Sequence, residues 1–564
     1  MRSGPGGIVL ACVGCAPAEP PDEPRPAETA VEQTEPITSE DEPIPGPDAI
    51  TLSISTPAPG TFTSDDVLDV GGMVSGLSDL TVNGEPATVN GDTWTATLTT
   101  APGVVPIDVQ GTDANGFVHV RRRSALAGTF EPDLQNTGTA IRMRVNQGAV
   151  EPAMSALSEL FVAKDVEAML LEDSRIYEDA LLWVDITGVD FGAPSLDVGL
   201  AEGAMSLSVS LPDLAMTFFY DGPGSFDGNA LVTASAVHVD CQVLLGIEEG
   251  EFTVEIPSAD VTIDDFYFEV DGTLGIEGIF EDLVATALEG ALEGVLLEEA
   301  PPLIRSSFES LDLSFSENLL GTDFFITASF SSLVLDDDGM ELDVDLRIDS
   351  DGPETTDHEA PGWFWQPFDP GELSRDRDLV LAMSDNVLNH MMFEAWQAGL
   401  LTDKLHTSDG TLSPAVLSLI GALEGGLVFD ALLPPVVVHG ETSFELQLGE
   451  STIDVSTPGA PLGDHVLLVV GGALPVEVLL DESALSLWVG EPDVTLDASD
   501  NDWVMRPEEI ERLWLQGLPL DLVTDLASDL VVPLSAEDDE DPLFVGGELR
   551  RDDSGTSSIV EFDL

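Results

Sequence analysis

The chain has 564 residues and carries 106 acidic against 18 basic side chains, a net charge of −88 at pH 7. A field of that sign repels phosphate, so nucleic acid is excluded as a partner, and anionic headgroups are repelled unless divalent cations bridge them. Hydrophobic residues make up 43 %, enough to bury cores, and the length implies roughly three to five domains at about 100–200 residues each.

Near the start of the chain stand Arg2, a short apolar run GIVLACVG and small residues leading to a cysteine, the layout of an export leader over residues 1–15. CVGC is formally C-x-x-C, but no strand–helix context and no second ligand pair accompanies it, so neither a redox nor a zinc site is expected. The layout resembles a bacterial lipoprotein signal. That resemblance implies acylation of Cys15, with Cys12 as the alternative, and a lipid-anchored place in the cell envelope, at the outer membrane. Residues 16–47, rich in Pro and Glu, read as a disordered tether with too little apolar surface to offset ordering entropy. No other run offers 18 uninterrupted apolar residues, so no further membrane span is expected. Cys241 has no partner in a mature chain and reads as a small buried hydrophobe.

Residues 48–127 alternate in ITLSI, VLDVGGMV and TVNGEPATVNGDTWTATL, with Asn83-Gly84 and Asn90-Gly91 as tight-turn dipeptides. Short strands at this spacing predict a sandwich, and the stretch resembles bacterial immunoglobulin-like modules. Arg121–Arg123, the one basic cluster, reads as an exposed strand end.

From about residue 138 one order of elements occurs twice. AIRMRV runs into a helical pattern carrying Val150, Met154, Leu157, Phe161 and Val162. Long alternating strands follow, then an amphipathic pattern with Ile279, Leu283, Leu288, Leu292 and Leu296, then further strands, making a first half over 138–350. A turn-rich connector spans 351–377. In the second half, 378–564, DLVLAM leads into SDNVLNHMMFEAWQAGLL, again followed by strands, a helical pattern and two short strands. A period of about 230 residues excludes a short solenoid. Strands with one apolar face, curved around a helix, make a tapered tube with an apolar inside.

LVLAMSDNVLNHMMFEAWQAGLL (Leu379–Leu401), AIRMRVNQGAV, Leu283–Leu311 and the start of PPVVV resemble the bactericidal/permeability-increasing protein family of lipid-binding and lipid-transfer proteins. The resemblance covers about three quarters of the chain. It implies an α+β fold of two tandem tubular halves, each a highly curved antiparallel sheet wrapped on a long helix, joined by a central sheet and preceded by the immunoglobulin-like sandwich. It also implies a non-catalytic role: acyl chains of a phospholipid or similar amphiphile enclosed in apolar pockets. Candidate lipid-facing residues are Val150, Met154, Leu157, Phe161, Leu283, Leu388, Met391, Met392, Ala395 and Trp396, weighed against plain core packing. The chain departs from the family in lacking a partner for Cys241 and in lacking basic tips, so endotoxin neutralisation is not carried over.

No G-x-S-x-G elbow, H-E-x-x-H or Walker loop occurs, and the seven histidines are scattered. No enzyme activity and no cofactor are expected. His390, beside Asn389 and Glu394, reads as part of a solvated helix face. Asp336-Asp337-Asp338, Asp349-Ser350-Asp351-Gly352 and Asp500-Asn501-Asp502 offer hard oxygen ligands. None completes the D-x-D-x-D-G loop, so charged turns are expected, with calcium the weaker alternative. A surface adhesion or assembly protein using the tubular scaffold structurally is the alternative function.

Overall fold

The computed structural model describes residues 50–133, 135–148, 171, 175–178, 183–222, 226–248, 250–270, 297, 301–302, 305, 314–319, 322–351, 358–408, 424–439, 444–460, 463–480, 484–490, 493–501, 509–512, 531–533, 547–551 and 557–562. The chain divides into Met1–Ala49 and one compact unit, Ile50–Leu564, and the fold below is that of the second unit. Cys12, Cys15 and the tether lie outside the described residues, as do Val150, Met154, Leu157, Phe161 and Leu283. Among the described residues no helix is long and apolar enough to cross a membrane.

The N-terminal strands form two facing sheets. One runs Thr51–Thr56, Val67–Ser75, Thr93–Thr99, Thr88–Asn90; the other Thr61–Thr63, Val118–Ala127, Gly103–Asp113, Leu77–Val82, Glu85–Pro86. Strict alternation puts Val105, Ile107 and Val109 inside, against Leu52, Leu68, Val70 and Trp94. Asn83 and Gly84 both take positive φ, 51° and 81°, in the two-residue loop between the paired residues Val82 and Glu85. This is the primed turn that the dipeptide predicts.

The three arginines at the end of this sandwich correct the expectation of an exposed strand end. The Arg122 backbone N–H donates to Asp497 Oδ2 at 2.7 Å, and its guanidinium donates to the Leu496 carbonyl and lies 3.8 Å from Glu511. Arg121 lies 3.8 Å from Asp497, and Arg123 3.4 Å from Glu450, whose side chain is 2 % exposed. The basic cluster therefore docks the sandwich onto the C-terminal part of the chain. Burial pushes the Glu450 carboxyl up to about 7, against the pull of Arg123.

Three further sheets follow. An eight-stranded sheet built from residues 175–270 centres on the long antiparallel pair Ala204–Gly222 and Phe226–Glu248. Met205, Leu207, Val209 and Leu211 point inward, then Leu214, Met216, Phe218 and Tyr220. The change from odd to even positions falls at Asp213, where φ is 53°. The partner strand changes parity at the same level, between Val237 and Ala234, so both strands keep their apolar sides on one face. Cys241 sits in this core, with burial pushing its thiol up to about 11.

The seven-stranded sheet has the order Phe315–Leu319, Thr322–Asp336, Gly339–Asp351, Thr137–Asn146, Leu379–Ser384, Ser557–Phe562, Gly547–Arg551. Its middle joins the two repeated strand starts: Ile141 faces Met383 and Met143 faces Leu381, antiparallel. A second eight-stranded sheet spans residues 402–533 around Phe444–Ser456 and His465–Leu480.

The expected α+β fold of two tubular halves, each wrapped on a long helix, is corrected here. Strands take 69 % and helix 7 %, so the described chain is a sheet-rich fold. Long runs of alternating, β-branched sequence account for this weight. Most of the helical-period segments that led to the expectation, around 147–171 and 279–311, lies outside the described residues.

Candidate functional site: an apolar stripe on a helix with a buried polar side

The strand Leu379–Ser384 passes without a loop into helix α1, Asp385–Gln397. Ser384 caps it: its Oγ accepts from the Asn386 N–H at 3.2 Å. Asp385 in the first turn suits the positive end of the helix dipole. At the other end Gly399 takes φ 75°. The Leu400 N–H reaches back to the Ala395 carbonyl, and that of Gly399 to the Trp396 carbonyl, both at 3.0 Å. That bond pair is the Schellman closure, and it explains glycine in AGLL.

Helix α1 is covered on most sides: Val387, Phe393 and Trp396 are buried, and so are several of its polar residues. Asp385, Asn386, Asn389, His390 and Glu394 are buried. Leu388, Met391, Met392 and Ala395 are only partly covered. Those four residues are spaced i, i+3, i+4, i+7, one continuous stripe of about 100°. Met391 and Ala395 lie against Ala140, Phe324, Val344 and Leu346 of the seven-stranded sheet. Leu388 lies against Val437, Phe444 and Val476 of the second eight-stranded sheet. The stripe thus bridges two sheets and keeps part of its apolar surface uncovered.

Trp396, grouped with these residues from sequence, belongs elsewhere. It is 1 % exposed, its Nε1 donates to the Ala431 carbonyl at 2.6 Å, and its ring meets Phe62 of the sandwich edge-on at 6.5 Å. It packs the joint between sandwich, helix and second sheet, with Trp363 and Phe393.

The polar side of α1 is held by specific bonds. Asn389 Oδ1 accepts from the Val437 N–H at 2.6 Å, and its Nδ2 donates to the Val437 carbonyl at 3.1 Å. Asn386 makes the same two-way bond with the Gln366 backbone, 2.8 Å each way, and Gln366 Nε2 donates to the Val437 carbonyl at 2.7 Å. Two backbone segments that lie beside the helix are thereby satisfied by asparagine side chains.

His390 corrects the expectation of a solvated face: it is 0 % exposed. Its Nδ1 bonds with Thr137 Oγ1 at 3.0 Å, and its ring stacks on Trp363 at 5.0 Å and 11°. Its Nε2 lies 3.9 Å from Glu394 Oε1 and has no hydrogen-bond partner among the described residues. Burial holds the imidazole down to about 4. The Glu394 carboxyl is pushed up to about 8, first by burial and then by its hydrogen bond with Asp133.

Of the acidic clusters, Asp336, Asp338 and Asp349 are paired with arginines, while Gly352 and Asp502 lie outside the described residues. Asp336 accepts two bonds from Arg144, at 2.9 and 3.0 Å, and faces Arg375, which also reaches Asp338 at 2.8 Å. Asp349 is paired with Arg347, and Ser350 donates to Glu394. Among the described residues no group of three or more His, Cys, Asp and Glu side chains could hold a metal ion. Beside Asp336 an open cleft of about 560 Å³ is lined by Glu202, Leu245, Leu333, Leu335 and Arg375.

No family model and no curated protein matches the sequence. Solved structures similar to the chain at low identity include a lipopolysaccharide binding protein: 13 % identity over 75 % of this chain and 98 % of that one, TM-score 0.34. P47 of Clostridium botulinum E1 is similar at 8 % identity over 76 % and 100 %, TM-score 0.29. Takeout 1 of Epiphyas postvittana is similar at 16 % over 29 % and 86 %, TM-score 0.17. Neither fold nor function is transferred from them at these scores.

Proposed function

We propose that the chain binds a phospholipid or another acyl lipid without catalysing a reaction on it, as a lipid-anchored protein of the bacterial cell envelope. The observation that carries the reading is the partly covered apolar stripe of α1. Asparagine, histidine and glutamate are buried on α1 while Leu388, Met391, Met392 and Ala395 stay partly uncovered. Water against that stripe is unfavourable, and an acyl chain laid along it recovers about 0.8 kcal/mol per methylene buried. Methionine suits the task because its flexible thioether adapts to chains of varied shape. The sequence resemblance of Leu379–Leu401 to lipid-transfer proteins supports the same reading. The leader and acidic tether support acylation at Cys15, which would hold the binding unit at the outer membrane.

Native mass spectrometry with lipid extraction on the full chain tests this. A mass shift matched by an extracted acyl lipid is expected. A lipid-free mass, with no uptake of a fluorescent fatty acyl probe from liposomes, would sink the reading.

A further inference from the structure

The sandwich has a docked end and a free end. At the docked end Phe62 meets Trp396 edge-on at 6.5 Å, the Val104 N–H donates to Gln447 Oε1 at 2.7 Å, and Gly60 and Gly128 sit close against Leu432 and Phe364. Gly103 pairs with Ala127 at that end of the hairpin, and Thr112 pairs with Val118 at the other. The strand between Gly103 and Thr112, at about 3.4 Å per residue, puts the turn 113–117 about 30 Å from the joint. The free end is completed by the start of Thr51–Thr56, the end of Val67–Ser75 and the turn after Thr88–Asn90. Thr51 faces Ser75, Met73 faces Thr93, the Val74 N–H donates to the Asp92 carbonyl at 2.9 Å, and Leu77 faces Asp113.

Of the ten large hydrophobic side chains that stand exposed among the described residues, five belong to this end: Ile50, Met73, Val89, Phe117 and Val118. The other five are spread over three sheets. Single exposed apolar residues are ordinary, whereas a gathering of them marks a surface that meets something. Residues 114–118 carry no charge, in a chain with 106 acidic side chains. The turn is also built to hold its shape. Asp113 Oδ1 accepts from the N–H groups of Asn115 and Phe117 at 2.8 and 2.9 Å, and the Asp113 N–H donates to the Phe117 carbonyl at 2.9 Å. The carboxylate is thus spent on its own loop, and the Phe117 ring is left 54 % exposed.

We propose that this free end rests on a lipid bilayer, with Phe117 and Val118 in its interfacial layer and Ile50 and Met73 at the rim. The occupant follows from what is attached there: the 49 residues that precede Ile50, Cys15 among them, join the fold at this end. An acylated Cys15 would put a membrane surface within reach of these side chains, and an apolar ring at such a surface is favourable. Asp79 and Asp92 at this end and the net charge of −88 disfavour anionic headgroups, so the surface is a zwitterionic one. So docked, the sandwich is a spacer between the bilayer and the joint at Trp396. Which membrane is met rests on the lipid-anchor reading; the apolar end itself does not.

The full chain mixed with phosphatidylcholine vesicles tests this. A photoreactive benzophenone amino acid in place of Phe117 should form adducts with the lipid, and the same group in place of Phe325, exposed on the seven-stranded sheet, should not. The chain carrying Cys12→Ser and Cys15→Ser, which cannot be acylated, should keep only a residual vesicle-bound fraction, and Phe117→Ser added to it should cut that fraction about tenfold. Its melting temperature should be unchanged, because the ring is largely outside the core. No lipid adduct at position 117, equal adducts at 117 and 325, adducts to a second copy of the chain in place of lipid, or a bound fraction indifferent to Phe117→Ser overturns the tip. A parent chain that sediments no better than the cysteine variant, yet gives lipid adducts at position 117, supports the tip and defeats the lipid-anchor reading.

Discussion

Asn389→Ala removes a buried side chain that serves both backbone groups of Val437. The Val437 carbonyl keeps its bond from Gln366 Nε2 at 2.7 Å, so losing Asn389 Nδ2 there costs about 1 kcal/mol. The Val437 N–H loses the bond it makes to Asn389, and leaving a buried donor without a partner costs about 1–3 kcal/mol. Alanine returns about half a kcal/mol through better helix propensity. The net loss is then about 1.5–3.5 kcal/mol. Urea unfolding followed by tryptophan fluorescence measures it, because Trp363 stacks on His390 of α1 and Trp396 belongs to that helix. Met392→Leu, nearly volume-conserving on the stripe side of the same helix, should cost under about 1.5 kcal/mol. A loss below about 0.5 kcal/mol for Asn389→Ala would show that the asparagine bonds do not hold the helix to the second sheet.

Three further outcomes can be checked together. Arg123→Ala strips Glu450 of its cation, and at pH 8 should cost about 3 kcal/mol. At pH 6, below the raised value of about 7, Glu450 can take up a proton and the loss should be smaller; equal losses at both pH values would contradict the buried pair. Gly72→Ala would place a Cβ on the Ser53 carbonyl oxygen, near the Trp94 indole N–H. It should cost about 3 kcal/mol or more, and a melting temperature within a degree of the parent would refute that packing. Cys15→Ser should release the chain from envelope membranes into the soluble fraction while Cys12→Ser does not; the reverse result would assign the anchor to Cys12.

The sequence made some of this legible and hid the rest, for physical reasons. Period-two alternation identified the long strands, because a half-buried sheet needs it, and the Asn83-Gly84 turn was readable because its φ values favour those residues. Of the doubled strand-to-helix order, the two strands lie side by side, with Ile141 beside Met383, while most of the first helical pattern lies outside the described residues. The stripe Leu388, Met391, Met392, Ala395 was readable from helical spacing, but Trp396 was assigned to it wrongly, since spacing alone does not show that Ala431 and Phe62 wait on the other side. His390 and Glu394 were misread for a deeper reason. Polar residues opposite an apolar stripe usually face water, and only partners distant in the chain, Thr137 for His390 and Ser350 for Glu394, make their burial tolerable. The arginine cluster was opaque in the same way, with Asp497 lying 375 positions from Arg122.

The most direct test of the lipid-binding reading is photo-crosslinking of the full chain with a phospholipid carrying a diazirine in its acyl chain, followed by peptide mapping. Adducts concentrated on Leu388, Met391, Met392 and Ala395, and reduced by Met391→Glu, are the expected result. Bound lipid whose adducts fall elsewhere, or no adduct under conditions that label a lipid-binding control, would contradict the claim that this stripe receives the guest.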